Sequence, residues 1–203
     1  MQGTEDWRKM RVGLATASNF GAVRAKGKSG EAVTRRDYKM QLAVERLTGT
    51  PVDSLSNAAM QWGTDHEEQA RLAFAIETGL FVDQVDFVRH PTLAAGASPD
   101  GLIGYDEGLE IKCPYNSAIH IETFLSGMPS KHKPQVQGAL WITGRRVWHF
   151  VSFDPRMPKD FQLYRQTVTR DEAYIKELEA DVEKFLAEVD VVLETLKERL
   201  KNG

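Results

Sequence analysis

Ser98-Pro99-Asp100-Gly101-Leu102, followed after a short gap by Gly108-Leu109-Glu110-Ile111-Lys112-Cys113-Pro114, is the stretch that decides how this chain is read. Side chains alternate across a strand, so Leu109 and Ile111 enter the core while Glu110 and Lys112 share the opposite face. Asp106, Glu107 and Gly108 have turn chemistry, and a hairpin there brings Asp100 to Glu110. Two carboxylates with the Ile111 carbonyl make a hard oxygen site suited to Mg²⁺ or Mn²⁺. A cation so held polarises a phosphodiester and lowers the pKa of bound water. The Lys112 ammonium can orient that water or neutralise a transition-state phosphate. A Glu-x-Lys triplet alone is more commonly the exposed face of an edge strand. The upstream Pro-Asp-Gly and the intervening apolar residues favour the metal site.

Outward from this stretch, short alternating runs over residues 81–88, 98–103 and 109–113 predict strands, as do 147–153 and 162–169. Apolar residues at helical spacing predict helices over 34–47, 58–78, 118–125 and 134–142, with Gly49, Pro51 and Gly79 as stop signals. Tyr174, Leu178, Val182, Phe185, Leu186, Val189, Leu193, Leu196 and Leu200 form the stripe of a long C-terminal amphipathic helix. Packing on the chain's own body is the expected role of that stripe, with a partner-binding face as the alternative. The order predicts a single α/β domain over residues 1–203, a small mixed central sheet flanked by helices.

Composition narrows the function. At 203 residues, 41% hydrophobic and 27% charged, the chain reads as a globular protein with one substantial core. No apolar run reaches membrane-spanning length, and residues 1–7 lack a basic segment followed by an apolar one, so a cytoplasmic setting is expected. Cys113 is the sole cysteine, which excludes an internal disulfide, a cysteine zinc cluster and a CxxC redox motif. The net charge of −3 hides an asymmetry: residues 1–46 hold ten Lys/Arg against five Asp/Glu, and the remainder sixteen against twenty-four. A basic entrance beside an acidic body suits a phosphate-gripping enzyme with a carboxylate centre, although solvated surface also accounts for such a difference.

Several separate segments resemble the PD-(D/E)xK nuclease superfamily, and within it the phage lambda exonuclease and YqaJ-like viral recombinase family. These are the W-x-x-x-R-x-G-x-x-T-A-S pattern from Trp7 to Ser18, then Trp62-Gly63 with Glu67, Ala70 and Arg71. The core of Ser98 to Leu102 and Leu109 to Pro114, Gln135-Val136-Gln137 with Trp141, and Asp154-Pro155-Arg156-Met157 complete the set. The resemblance implies a restriction-endonuclease-like core and an exonuclease that degrades the 5′-ended strand of linear duplex DNA to mononucleotides, leaving 3′ single-stranded tails. It implies metal ligands at Asp100, Glu110 and the Ile111 carbonyl, using Mg²⁺ or Mn²⁺ with two ions during catalysis. It further implies an acidic helix residue at Glu67, a catalytic Lys112, Gln137 at the active site, and a 5′-phosphate pocket using Arg11, Ser18 and Ser98 beside Trp7. A homotrimeric ring threaded by DNA, a single-strand annealing partner and a phage or prophage setting in the bacterial cytosol belong to the same expectation. This chain has Ala118 where the phage lambda exonuclease has an arginine, and the basic loop with Arg24, Lys26 and Lys28 is the expected compensation.

Other motifs carry less. Gly21 to Ser29 resembles a phosphate-binding loop, but five residues separate its glycines where four are required. His66-Glu67 lacks the second histidine of a zinc-protease helix, and Cys113 reads as a small buried core residue. Arg11 as a surface ion pair and Ser18 as a helix cap are the plainer alternatives. Two other functions share the same residues: an endonuclease of this fold, and a non-catalytic DNA-binding module.

Overall fold

The strands expected on either side of Asp100 and Glu110 pair as an antiparallel hairpin in the computed structural model, which describes residues 3–52 and 57–202. Met1 and Gln2, the first residues of the segment read as lacking a leader, lie outside the described residues. The elements run α1 (Glu5–Met10), β1 (Ala15–Thr16), α2 (Phe20–Val23), α3 (Val33–Thr48), α4 (Ala58–Thr78), β2 (Val88–Arg89), β3 (Ala95–Ala97), β4 (Gly101–Ile103) and β5 (Glu107–Lys112). They continue with α5 (Ser117–Ser126), α6 (Lys133–Thr143), β6 (Val147–Phe153), β7 (Leu163–Thr169) and α7 (Glu172–Asn202).

The hairpin turns at residues 104–106, earlier than the expected 106–108. Gly104 takes φ +50°, a left-handed conformation that costs a glycine little. Gly108 serves packing instead: it pairs with Leu102, and a Cβ there would stand 2.3 Å from the Trp148 ring. The strand expected over 81–88 is mostly irregular, with an isolated bridge from Asp83 to Leu102 and regular pairing only at Val88–Arg89. Of the strand expected over 98–103 only Gly101–Ile103 pairs, with β5, while Ala95–Ala97, which was not expected, pairs with β1 and β2. Ser98, Pro99 and Asp100 are the link between the two sheets. The short helices α1 and α2 were not foreseen; Thr4 caps the first by accepting from Trp7 N at 3.3 Å.

The larger sheet has the order β4-β5-β6-β7, with β5 and β6 parallel and the outer pairs antiparallel. The parallel pair needs a crossover, and α5 and α6 supply it. Both faces are covered. Leu109, Ile111, Val151 and Phe153 pack with Ala70 and Phe74 of α4, while Trp148 and Phe150 join α2, α3, α6 and α7 in the main core. Glu110 therefore lies beneath α6, 2% exposed, rather than on a solvent-facing edge.

Helix α7 buries Ile175, Leu178, Val182, Phe185, Leu186 and Val189 in the chain's own body, while Leu196 and Leu200 at the end of the expected stripe are exposed. Phe185 stacks on Tyr38 of α3 with ring centroids 5.4 Å apart, and Glu188 receives both Arg35 and Lys39. Apolar burial of this kind stabilises by roughly 1.5–3 kcal/mol per large side chain, whereas the surrounding ion pairs, partly open to solvent, add less. Among the described residues, no helix is long and apolar enough to cross a membrane.

Candidate active site

Asp100 leaves the link between the sheets just before β4, and Glu110 and Lys112 project from β5. The hairpin closes them on one another: the Asp100 N–H donates to the Leu109 carbonyl at 3.1 Å, and the Ile111 N–H donates to Asp100 Oδ2 at 2.6 Å. Glu110 Oε1 receives the Lys112 ammonium at 2.5 Å and the Gln135 amide at 2.6 Å. Glu67 approaches from α4, with Arg71 one turn later on the same helix donating to Glu67 Oε1 at 2.5 Å. The fold thus brings the expected Glu67, Asp100, Glu110, Ile111 and Lys112 to one place.

Electrostatics there favour a cation. Burial pushes the Asp100 carboxyl well above the ordinary range, and the charges of Glu110 and Glu67 push it further, against Lys112 and the Ile111 N–H. Glu67 is raised as well, by burial first, with Arg71 opposing and Glu110 adding to the rise. Burial works against the Lys112 ammonium, yet Glu110 and Asp100 hold its pKa above the usual lysine value. Among the described residues no three His, Cys, Asp or Glu side chains form a ready ligand group. The centre is a carboxylate pair with a main-chain neighbour, and its oxygen donors and surplus negative charge fit a hard divalent ion.

Gln137 does not take the position expected of it. Its amide donates to the Thr169 carbonyl at 2.9 Å and its carbonyl accepts from Asp171 N at 3.0 Å, so it braces the junction of β7 and α7. Gln135 reaches Glu110 instead. Residues two apart on a helix point in widely different directions, so only one glutamine of Gln-Val-Gln can face the carboxylates. Arg71 was also visible only as part of a motif, without a role; its Nε donates to the Asp100 carbonyl at 2.9 Å.

The residues expected to grip a phosphate fall into two groups. Trp7 Nε1 donates to the Asp86 carbonyl at 2.9 Å and to Ser98 Oγ at 3.0 Å, and the Arg11 guanidinium lies 4.0 Å from the centre of the Trp7 ring. Arg11 Nε is buried with no hydrogen-bond partner, and burial lowers its pKa against the nearby Tyr38 and Glu45. Ser18 Oγ lies 3.2 Å from Thr16 Oγ1, whose main-chain N–H donates to Tyr38 Oη at 2.9 Å. The basic loop is otherwise: Arg24 is drawn onto α7 by Glu177 at 3.1 Å and Asp181 at 2.8 Å and covers the Tyr174 ring, which leaves Lys26 and Lys28 exposed.

Two further groups border the centre. Cys113 is buried beside Ile111, and burial with the neighbouring carboxylates pushes its thiol up to about 12, in keeping with a core role. The His132 ring stands 5.5 Å from that of Phe150, and burial with Lys112 and Lys131 brings its pKa down to about 4.

The sequence profile of the YqaJ-like viral recombinase domain matches residues 6–146. LHK-Exo, an alkaline exonuclease from Laribacter hongkongensis, superposes with a TM-score of 0.90 at 42% identity, over 98% of this chain and 99% of its own. The structure of LHK-Exo in complex with dAMP gives 0.91 and 43% over the same shares. A phage related exonuclease from Haemophilus somnus 129PT shares the fold at 15% identity, with a TM-score of 0.71 over 90% of this chain and 96% of its own. ExoD of Escherichia coli (strain K12) is 31% identical over 64 residues, or 32% of this chain and 72% of ExoD. The architecture is the restriction-endonuclease-like fold of these exonucleases.

Proposed function

The chain belongs to the YqaJ-like viral recombinase family, which makes it a nuclease of exonuclease type, and we propose that it degrades the 5′-ended strand of linear duplex DNA to mononucleotides, leaving 3′ single-stranded tails. The observation that carries this reading is the closure of Asp100 on Glu110 by the β4–β5 hairpin, with the Lys112 ammonium 2.5 Å from Glu110. Asp100, Glu110 and the Ile111 carbonyl would hold Mg²⁺ or Mn²⁺, with Glu67 as the acidic neighbour of a second ion. When bound, such an ion supplies Lewis-acid activation of the phosphodiester and of water.

The chain's own residues supply positioning and charge. Lys112 is a compact cation held at the carboxylates, placed to steady an attacking water or a transition-state phosphate. Gln135 fixes the Glu110 carboxylate from above, so that its oxygens keep one orientation. Trp7, Arg11 and Ser98 form one cluster, and a buried guanidinium with an unpartnered Nε suits a 5′-phosphate, with Ser18 from the neighbouring segment. The reading extends to a homotrimeric ring around the duplex, which would retain DNA by topology despite a net charge of −3. It also includes a single-strand annealing partner and a phage or prophage setting in the bacterial cytosol.

The test uses linear duplexes with 5′-phosphate or 5′-hydroxyl ends, labelled at either end, beside a covalently closed circle, all with Mg²⁺. Early release of the 5′ label as mononucleotide, faster from phosphorylated ends, with the circle intact, is expected. Nicking of the circle indicates an endonuclease, and early loss of the 3′ label reverses the polarity.

A further inference from the structure

We propose that Arg71 is a positioning residue that sets how Glu67 meets a divalent cation at Asp100 and Glu110, an inference that rests on the metal-site reading above. Arg71 follows Glu67 by one turn of α4, and its guanidinium makes two bonds in different directions. Nη2 donates to Glu67 Oε1 at 2.5 Å, and Nε donates to the Asp100 main-chain carbonyl at 2.9 Å. The planar fork ties the helix carboxylate to the main chain that carries the hairpin carboxylate. An ammonium on a flexible stem lacks that fixed geometry. The Arg71 side chain is 12% exposed and that of Glu67 29%, so solvent screens the pair only partly.

Charge balance gives Arg71 a second effect. Glu67, Asp100 and Glu110 act on one another, and the cations facing them are Lys112, on Glu110, and Arg71, on Glu67. With all five ionised, the cluster carries one uncompensated negative charge. A divalent ion then overshoots to positive, and Arg71 opposes it by like charge while occupying a Glu67 oxygen. Removing the guanidinium leaves two uncompensated negative charges, which a divalent ion neutralises. Arg71 therefore weakens cation binding while holding Glu67 where turnover needs it, so its loss moves affinity and rate in opposite directions. A side chain that merely stabilised the fold would, on removal, lower both.

The experiment measures Mn²⁺ binding to the full chain by calorimetry without DNA, and hydrolysis of a 5′-labelled linear duplex, for wild type, Arg71→Met, Arg71→Lys and Asp100→Asn. Arg71→Met is expected to bind Mn²⁺ about tenfold more tightly and to lose roughly ten- to a hundredfold in kcat. Arg71→Lys keeps the charge, so its affinity stays near wild type while kcat recovers in part. Unchanged or weaker Mn²⁺ binding in Arg71→Met overturns the proposal, as does an unchanged kcat. Mn²⁺ binding that is equal in wild type and Asp100→Asn instead removes the metal-site reading itself, whatever Arg71 does. If Arg71→Met does not fold, Arg71→Lys decides: wild-type affinity with reduced kcat supports the proposal, and parallel loss of both overturns it.

Discussion

Gln135 donates its side-chain amide to Glu110 Oε1 at 2.6 Å, across the gap between α6 and β5, and so fixes the oxygen that also receives Lys112. Gln137, two residues on, spans the Thr169 carbonyl and the Asp171 N–H. The two amides lie on one helix and serve different ends, one the carboxylate centre and the other the β7–α7 junction.

Replacing each glutamine by alanine should separate these roles. Gln135→Ala is expected to lower kcat by roughly ten- to a hundredfold through loss of orientation, with a melting temperature close to wild type. Gln137→Ala removes two hydrogen bonds to part-buried main-chain groups and should cost about 1–3 kcal/mol, while activity per folded molecule is retained. Urea titration together with single-turnover hydrolysis distinguishes them; an inactive but fully stable Gln137→Ala would reverse the assignment.

Asp100 should show opposition between stability and activity. Its carboxyl pKa is raised in the folded chain by burial and by Glu110 and Glu67. The unfolded chain ionises it more readily, so the metal-free fold loses stability as pH rises from the unfolded pKa through the folded one. Asp100→Asn lacks that loss. In EDTA at neutral pH its melting temperature is expected to exceed wild type by roughly 2–6 °C, while hydrolysis is abolished. The two melting curves should converge below about pH 4, where Asp100 is protonated in the unfolded wild type as well as in the folded one. A variant that melts below wild type at neutral pH contradicts the crowding of carboxylates described above.

Asp154 has the opposite sign. Burial alone would raise its carboxyl pKa, but Arg156, with Nε and Nη2 each 2.8 Å away, and Ser117 bring it down to about 2. Its contribution is complete above the unfolded pKa near 4 and is lost as pH falls through about 2. Arg156 is partly exposed, so Asp154→Asn should cost about 1–2 kcal/mol at neutral pH, a difference that vanishes in strong acid. Denaturation across this range checks it, and a pH-independent difference would point to lost packing instead.

Local periodicity and turn chemistry determined most of the elements. Residues 34–47, 58–78, 134–142 and 147–153 all read within a residue or so of their observed bounds, because each carries a continuous apolar pattern that the fold buries. Residues 81–88 misled for the same reason: they alternate like a strand, yet little of that run pairs, with Val82 and Val88 packed against the cores and Phe81 exposed. In the site, the Pro-Asp-Gly and Glu-x-Lys spacing was enough to join Asp100, Glu110 and Lys112, since a hairpin is a local structure whose register follows its own residues.

Tertiary docking decided what no spacing could. The docking angle of α6 selects Gln135 over Gln137, and the placement of α4 brings Arg71 to the Asp100 carbonyl across 29 positions of sequence. The packing of α7 takes Arg24 out of the basic loop. Each of these depends on how the rigid elements pack together, a long-range outcome of core burial, whereas the carboxylate pair depends on one short turn.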